Sequence, residues 1–120
     1  MTGRLFVPLA GQPYAWFASG KKTWELRAKR GQFTEKHITL GRRVELRRGY
    51  STPDSLWGTV ADAVVAPTIR AFFEQVPFRE VLPEAKDLDH AVAQACSILG
   101  KPANTPVIGF KVCLDQTAKE

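Results

Sequence analysis

The sequence has few cysteines and no long apolar run. No stretch of its 120 residues approaches the ~20 apolar residues of a membrane-spanning helix, and Met1 to Leu9 lacks the apolar core of a secretory signal. Cys96 and Cys113 form no CxxC pair, so neither a zinc site nor a disulfide framework is predicted. Both lie among apolar residues, and we expect buried free thiols in a cytoplasmic protein.

Histidine is equally sparse. His37 and His90 stand apart and have no partner at a metal-binding spacing such as HxxxH. No Ser-His-Asp arrangement is evident, and the Gly-x4-Gly-Lys-Ser/Thr spacing of a phosphate-binding loop is missing. The sequence therefore predicts no metal ion and no cofactor.

Positive charge, in contrast, is plentiful and unevenly distributed. Residues 1–50 hold 11 lysines and arginines against 3 acidic residues, a net charge of +8, whereas residues 51–120 have a net charge of −3. A basic half in a small domain is typical of proteins that bind a polyanion. The alternative is a positive, soluble surface without a partner.

Strand and helix patterns follow one another in the order strand, helix, three strands, two helices, strand. The predicted strands cover 4–9, 23–27, 44–47, 56–65 and 106–114. The predicted helices cover 12–19, 69–75 and the apolar stripe between the cap Asp87 and the stop Gly100. Few strands are joined by helices long enough for parallel crossovers. We therefore predict one α+β domain over residues 1–115, a small barrel or curled mixed sheet with short helices at its ends, followed by a flexible tail at 116–120.

The most informative segment is Gly-Lys-Lys-Thr-Trp-Glu-Leu-Arg, residues 20–27. Because side chains alternate along a strand, Thr23, Glu25 and Arg27 project from one face, with Trp24 on the buried face. A carboxylate, a guanidinium and a nearby lysine can bind a phosphate or a base edge, or perform acid–base catalysis. The alternative is an exposed face with ordinary surface ion pairs.

Lys21 and Lys22 lie where this strand begins. A free lysine has a pKa of about 10.4 and is a poor nucleophile near neutrality. Burial or neighbouring positive charge, such as that of Arg27 and Lys29, would lower this pKa, whereas pairing with Glu25 would oppose the change. Lys22 is therefore a candidate either for catalysis or for holding a phosphate.

Further candidates for nucleic-acid contacts are basic or aromatic. Lys29, Arg43 and Arg47 would contact phosphates, which gives affinity without sequence choice; the alternative is a solvated edge that deters strand pairing. Tyr14 and Trp16 flank the predicted cleft and are candidates for stacking on a base. Trp57 begins a strand, and we expect it in the core.

The N-terminal motifs together resemble the signature of the ASCH family, within the PUA-like β-barrel group. They are Gln12-Pro13-Tyr14-Ala15, Phe17, Gly20-Lys21-Lys22-Thr23 and Glu25-Leu26-Arg27. A looser similarity covers nearly the whole chain. The resemblance implies a barrel of five or six strands, with a cleft beside the Gly-x-Lys-Thr turn that binds RNA or a nucleoside.

The resemblance also implies catalytic possibilities. Some ASCH relatives are amidohydrolases that act on acetylcytidine, and another cleaves RNA. In the amidohydrolases the lysine that corresponds to Lys22 is catalytic, the position of Glu25 contributes, and a later glutamate completes the site. We assign that role to Glu84, with Glu74 and Glu80 as competing candidates.

The chain departs from the family pattern at two positions. Many members carry Gly-Asp before the third strand, where this chain has Gly41-Arg42. Glu25 stands where the deacetylating subgroup has threonine, although glutamate is usual in the wider family. The leading hypothesis is an RNA- or nucleoside-binding domain. The alternatives are a small hydrolase that uses Lys22 and a protein-interaction module whose basic face meets an acidic partner.

Overall fold

The computed structural model describes residues 3–115, and its elements follow the predicted order. They are β1 Leu5–Leu9, α1 Gly11–Ser19, β2 Trp24–Ala28, β3 Arg43–Arg48, β4 Ser55–Ala66, α2 Ile69–Gln75, a 3-10 turn Phe78–Glu80, α3 Leu88–Leu99 and β5 Val107–Leu114. The predicted tail at 116–120 lies outside the described residues.

The helices begin and end where the local chemistry predicts. Thr68 accepts a hydrogen bond from the Ala71 N–H at the start of α2, and Asp87 accepts one from the His90 N–H at the start of α3. Helix α1 ends at Gly20, whose φ of 82° is open to glycine at little cost. This turn sends the chain directly into β2.

The five strands form one curled sheet in the order β1-β3-β4-β5-β2. Strand β1 is parallel to β3, and the other neighbours are antiparallel. A register shift between Val60 and Asp62 bends the long strand β4. The result is a half-barrel whose edge strands, β1 and β2, face each other across a seam. The predicted α+β class and PUA-like architecture are confirmed.

Apolar side chains pack on both sides of the sheet. The inner core of the half-barrel includes Val7, Val44, Ile108 and Phe110, as well as Phe17 from α1. A second core lies between the sheet and the later helices, and it contains Trp24, Leu26, Ile69, Phe72, Ala91 and Val107. Strand β2 thus turns Trp24 and Leu26 toward the helices and its alternate residues toward the seam.

Two expectations about burial are wrong. Trp57 is 40% exposed, because its neighbour Leu56 takes the inward position of β4. Cys113 is exposed on β5 and Cys96 is half-buried, so they are not two buried thiols. Within residues 3–115, no helix is long and apolar enough to cross a membrane.

Candidate functional site

Three charged side chains from the Gly20–Arg27 segment meet at the seam. Lys22 Nζ lies 3.3 Å from Glu25 Oε1, and Arg27 Nε donates to Glu25 Oε2 at 2.7 Å. Lys22 and Glu25 are buried, with 5% and 8% of their surface exposed. Lys22 Nζ also donates to the Val81 carbonyl at 2.6 Å. The predicted grouping of lysine, carboxylate and guanidinium is therefore present.

Strand register explains this grouping. Glu25 is paired with Phe110 of β5, and Arg27 is paired with Ile108. Residues directly opposite each other on antiparallel strands share a face, and both partners belong to the inner core. Glu25 and Arg27 therefore point to the inner side of β2, at the edge of the half-barrel.

The turn before β2 fixes Lys22. Its backbone N–H donates to the Trp16 carbonyl, and the next residue, Thr23, donates to the Glu80 carbonyl through its own N–H. The Lys22 ammonium lies 5.4 Å from the centroid of the Phe17 ring. Burial lowers the pKa of Lys22 from its usual 10.5, while the Glu25 carboxylate opposes this shift.

A cleft of about 530 Å³, which we call the seam cleft, opens over the gap between β1 and β2. Its walls come from the ends of β1 and β2, the start of α1, the loop 30–33 and the end of α3. The residues that line it are Pro8, Leu9, Ala10, Pro13, Glu25, Leu26, Arg27, Ala28, Arg30, Gly31, Gln32, Phe33, Ile98, Leu99 and Lys101. Its volume falls in the range of small-ligand sites.

A second, smaller cavity of about 60 Å³ lies beside the seam cleft. Lys22 and Trp16 line it together with apolar residues of α3, and Glu25 lines both cavities. A cavity of this size admits water but not a nucleoside. Glu25 therefore belongs to the walls of both cavities, whereas Lys22 lines only the smaller one.

The remaining motif residues predicted to bind nucleic acid lie outside both cavities. Lys21 is exposed beside the Gly20 turn. Tyr14 packs against the inner core instead of lining a cleft, and burial raises its pKa. Lys29 is exposed after β2 and pairs with Glu35, with Nζ 2.9 Å from Oε2. Contacts of these three with a nucleic acid stay predictions.

The three competing glutamates are in different environments. Glu84 and Glu74 are exposed and line neither cavity. Glu80, in contrast, accepts a hydrogen bond from Thr23 Oγ1 at 2.6 Å. The structure therefore does not bring Glu84 to Lys22, because the neighbouring Ala85 is buried in the second core and leaves Glu84 on the outside.

Sequence reasoning missed Lys101. Two further lining residues, Arg30 and Phe33, are a loop cation and an aromatic side chain of the kinds predicted to contact phosphates and bases. The Phe33 ring stacks on Phe110 at 6.3 Å, and the Arg27 guanidinium lies 4.8 Å from the Phe33 centroid. Lys101 follows the end of α3, so only the docking of that helix brings it to the cleft. No local pattern in the sequence indicates this position.

Arg43 and Arg47 lie elsewhere, on the outward side of β3. Arg43 makes a bidentate pair with Asp115 at 2.8 Å and lies 5.7 Å from the Trp57 ring centroid. Arg47 binds the carboxylate of Glu45 at 2.7 Å. The structure thus separates both arginines from the Gly20–Arg27 segment.

Glu45 is the centre of this second polar cluster and is only 3% exposed. Its carboxylate accepts hydrogen bonds from Arg4, Arg47 and Ser55 at 2.6 to 3.0 Å. The hydrogen bonds from Arg4 and Ser55 are the largest causes that lower the pKa of Glu45 to about 2. An ionised carboxylate is therefore built into the outward side of β3.

Acid should weaken the fold through Glu45. The folded state binds fewer protons here than the unfolded state, so the stabilisation is complete above the usual pKa of 4.5 and is lost as the pH falls toward about 2. We expect a loss of about 2 kcal/mol, allowing for the half-exposed Arg4 partner. Urea unfolding of the wild type and Glu45→Gln at about pH 6 and pH 2.5 should show their stability difference shrinking in acid. A constant difference would contradict this assignment.

Within residues 3–115, no group of three or more His, Cys, Asp and Glu side chains is placed to hold a metal ion. The candidate site therefore consists of the Lys22–Glu25–Arg27 group and the seam cleft beside it.

No protein-family model and no curated protein matches the chain. Solved structures do. The crystal structure of the hypothetical protein PH0355 is similar with a TM-score of 0.76 and 17% identity, over 93% of this chain and 99% of that chain. The solution structure of protein PF0455 from Pyrococcus furiosus is similar with a TM-score of 0.66 and 16% identity, over 95% of this chain and 99% of that chain.

An ASCH structure is among the similar ones. The crystal structure of ASCH from Zymomonas mobilis has a TM-score of 0.61 and 14% identity, over 90% of this chain and 65% of that chain. At such identities the similarity concerns the fold. The fold that the sequence resemblance implies is thus confirmed: the chain has the fold of an ASCH domain.

Proposed function

We propose that this chain is an RNA- or nucleoside-binding domain of the ASCH type, and that the seam cleft holds one nucleotide unit. The observation that carries the proposal is the Glu25–Arg27 pair in the wall of a cleft of about 530 Å³. A carboxylate and a guanidinium side by side present an acceptor and donors, the groups that recognise base edges or phosphates.

The charges around the cleft favour an anionic ligand. Arg27, Arg30 and Lys101 line it against the single carboxylate of Glu25. Within residues 3–115, Arg30 and Lys101 make no ion pair and remain available to phosphate oxygens. Arg27 uses Nε for Glu25 and one terminal nitrogen for the Pro8 carbonyl, at 2.9 Å. Its other terminal nitrogen is left for a ligand.

The rest of the cleft suits a base or a ribose. Leu26, Ile98 and Leu99 give it an apolar wall, and Phe33 offers a ring at the side where Arg27 lies. Apolar surface with a few placed polar groups is the usual composition of a small-molecule site. A nucleotide combines the flat apolar face and the negative charge that such a cleft accepts.

Binding should depend on salt and on the cleft cations. Lys101→Gln is expected to weaken binding of single-stranded RNA about equally for all sequences and to reduce the slope of log K against log salt by about 1. Arg27→Gln should weaken the binding of a nucleoside monophosphate as well. Calorimetric titrations at several salt concentrations measure both effects.

Arg70→Gln is the matched control for these titrations. Arg70 lies on α2, away from the seam cleft, and pairs with Asp89 at 2.8 Å. Its loss removes one positive charge at a position outside the cleft, so RNA binding should change little. If Arg70→Gln and Lys101→Gln lower the RNA affinity equally, only the net charge attracts RNA, and the seam cleft is not the binding site.

The alternative function is a hydrolase that uses Lys22. It is favoured by the burial that lowers the pKa of Lys22, because a lower pKa raises the fraction of neutral, nucleophilic amine at a given pH. However, Lys22 lines the cavity of about 60 Å³ and does not line the seam cleft. Turnover would require Lys22 to gain access to a ligand in the larger cleft. Incubating the wild type and Lys22→Met with acetylcytidine and with RNA, and measuring acetate release and RNA fragments, distinguishes an enzyme from a binding domain.

A further inference from the structure

A second surface of the half-barrel combines aromatic rings with arginines. The guanidinium groups of Arg4 and Arg47 lie 5.4 and 5.0 Å from the centroid of the Phe6 ring. Tyr50 packs against Phe6 with a centroid distance of 6.1 Å, yet 75% of its surface is exposed. We call these four residues, together with Glu45, the arginine face.

Glu45 holds the arginine face in place. Its two carboxylate oxygens bind Arg4 at 2.7 Å and Arg47 at 2.7 and 3.0 Å. Long side chains normally lose considerable freedom when they bind a ligand, and prior fixation reduces that loss. Arg47 also donates to the Tyr50 carbonyl, at 3.3 Å. The cluster therefore presents planar groups that are already ordered.

The arginine face adjoins the seam cleft. Phe6 and Pro8 are on the same, outward side of β1, as its alternating burial shows. Pro8 lines the cleft, and Gln32, another lining residue, donates to the Phe6 carbonyl at 2.8 Å. Two residues along a strand span about 7 Å. The exposed side of Phe6 therefore lies next to the rim of the seam cleft.

The same row of side chains continues across the sheet. Phe6 is paired with Glu45, and Glu45 with Trp57. Trp57 is 40% exposed, and the Arg43 guanidinium lies 5.7 Å from its ring centroid. A strip of rings and guanidinium groups therefore runs from the cleft over β1, β3 and β4.

We propose that the arginine face binds the nucleotides that adjoin the one in the seam cleft, so that the ligand is a stretch of single-stranded RNA. This inference rests on the proposed function and extends it. Bases of single strands stack on aromatic rings and on arginine planes, while the guanidinium charge attracts the phosphates. Exposed Tyr50 is the principal stacking group, and it packs against the Phe6 ring that Arg4 and Arg47 contact. The face thus gives affinity that a lone nucleotide cannot obtain.

The test compares a nucleoside monophosphate with a single-stranded RNA of about five nucleotides. Tyr50→Ala should leave the affinity for the monophosphate unchanged and lower that for the oligonucleotide by about 5- to 100-fold, the effect of losing one stacked base. Tyr50→Phe keeps the ring and should keep the affinity. Because Tyr50 is largely exposed, both variants should unfold at the wild-type temperature.

The outcomes separate the two proposals. Unchanged oligonucleotide affinity in Tyr50→Ala would overturn the arginine face, even if monophosphate binding persists. If the oligonucleotide binds in a way that depends on Tyr50 while the monophosphate does not bind at all, RNA binding by the arginine face is supported and nucleotide binding in the seam cleft is rejected. A wild type that binds neither ligand would overturn both proposals. If Tyr50→Ala weakened only the binding of an acidic peptide, the surface would be a protein site and the RNA proposal would fail.

Discussion

Replacing Glu25 by alanine is expected to lower the free energy of unfolding by about 3–5 kcal/mol. The carboxylate lies between two cations, Lys22 at 3.3 Å and Arg27 at 2.7 Å. Its removal leaves the buried ammonium without its nearest counter-charge. Such a loss is a large part of the total stability of a small domain. Urea unfolding followed by circular dichroism measures it.

Lys22→Met is the matched variant. It removes the positive charge and retains the aliphatic stem, so Glu25 keeps Arg27 as its partner. We expect it to cost less than Glu25→Ala, and the double variant to cost less than the sum of the two single changes. Additive losses would show that the 3.3 Å approach between Lys22 and Glu25 contributes nothing.

The pH dependence of these variants tests the state of Lys22. Its folded-state pKa is lowered, so between that pKa and the usual 10.5 the unfolded state binds more protons than the folded state. Wild-type stability should therefore rise in this window relative to Lys22→Met. If the difference in unfolding free energy between the wild type and Lys22→Met stays constant or falls as the pH increases, the folded protein favours the ammonium form of Lys22. That result would remove the case for a reactive amine.

Phe72→Ala should also cost about 3–5 kcal/mol, because it empties a large volume in the second core. The Phe72 side chain is fully buried. Its ring makes an edge contact with Trp24, at a centroid distance of 6.0 Å, and lies directly over Gly109 of β5. Phe72 thus holds α2 against β2, which carries Glu25 and Arg27, and against its neighbour β5. Thermal and chemical unfolding should both report the loss.

Gly109 provides the control for this packing. A Cβ at this position would overlap the Phe72 ring, so Gly109→Ala alone should destabilise by about 1–3 kcal/mol. Combining it with Phe72→Leu should recover part of that loss, since the smaller side chain makes room. If the double variant is no better than the sum of its parts, the ring is not what excludes a side chain at position 109.

Local chemistry made most of the fold predictable. The cap at Asp87, the stop at Gly100 and the apolar stripe between them define α3, because these signals act within a few residues. Strand alternation likewise predicted that Glu25 and Arg27 share a face. Both depend on short-range geometry that the sequence expresses directly.

The parts of the site that depend on tertiary docking could not be predicted. Lys101 reaches the seam cleft only because the end of α3 packs beside β2. Glu80, rather than Glu84, contacts Thr23 because a 3-10 turn docks against the start of β2. Trp57 is exposed because the inward position goes to Leu56. The sequence pattern of each region is compatible with either outcome, and long-range packing decides between them.

The seam has a consequence for self-association. Bare strand edges invite pairing with other chains, yet the edge of β1 is occupied: Gln32 binds the Phe6 carbonyl and Arg27 the Pro8 carbonyl. Proline at position 8 removes a backbone donor on that edge as well. Arg27 thus protects the edge of β1 from pairing with other chains, in addition to the ligand contact that we propose for it. A ligand that draws its guanidinium away must satisfy the Pro8 carbonyl itself, or briefly leave that edge open.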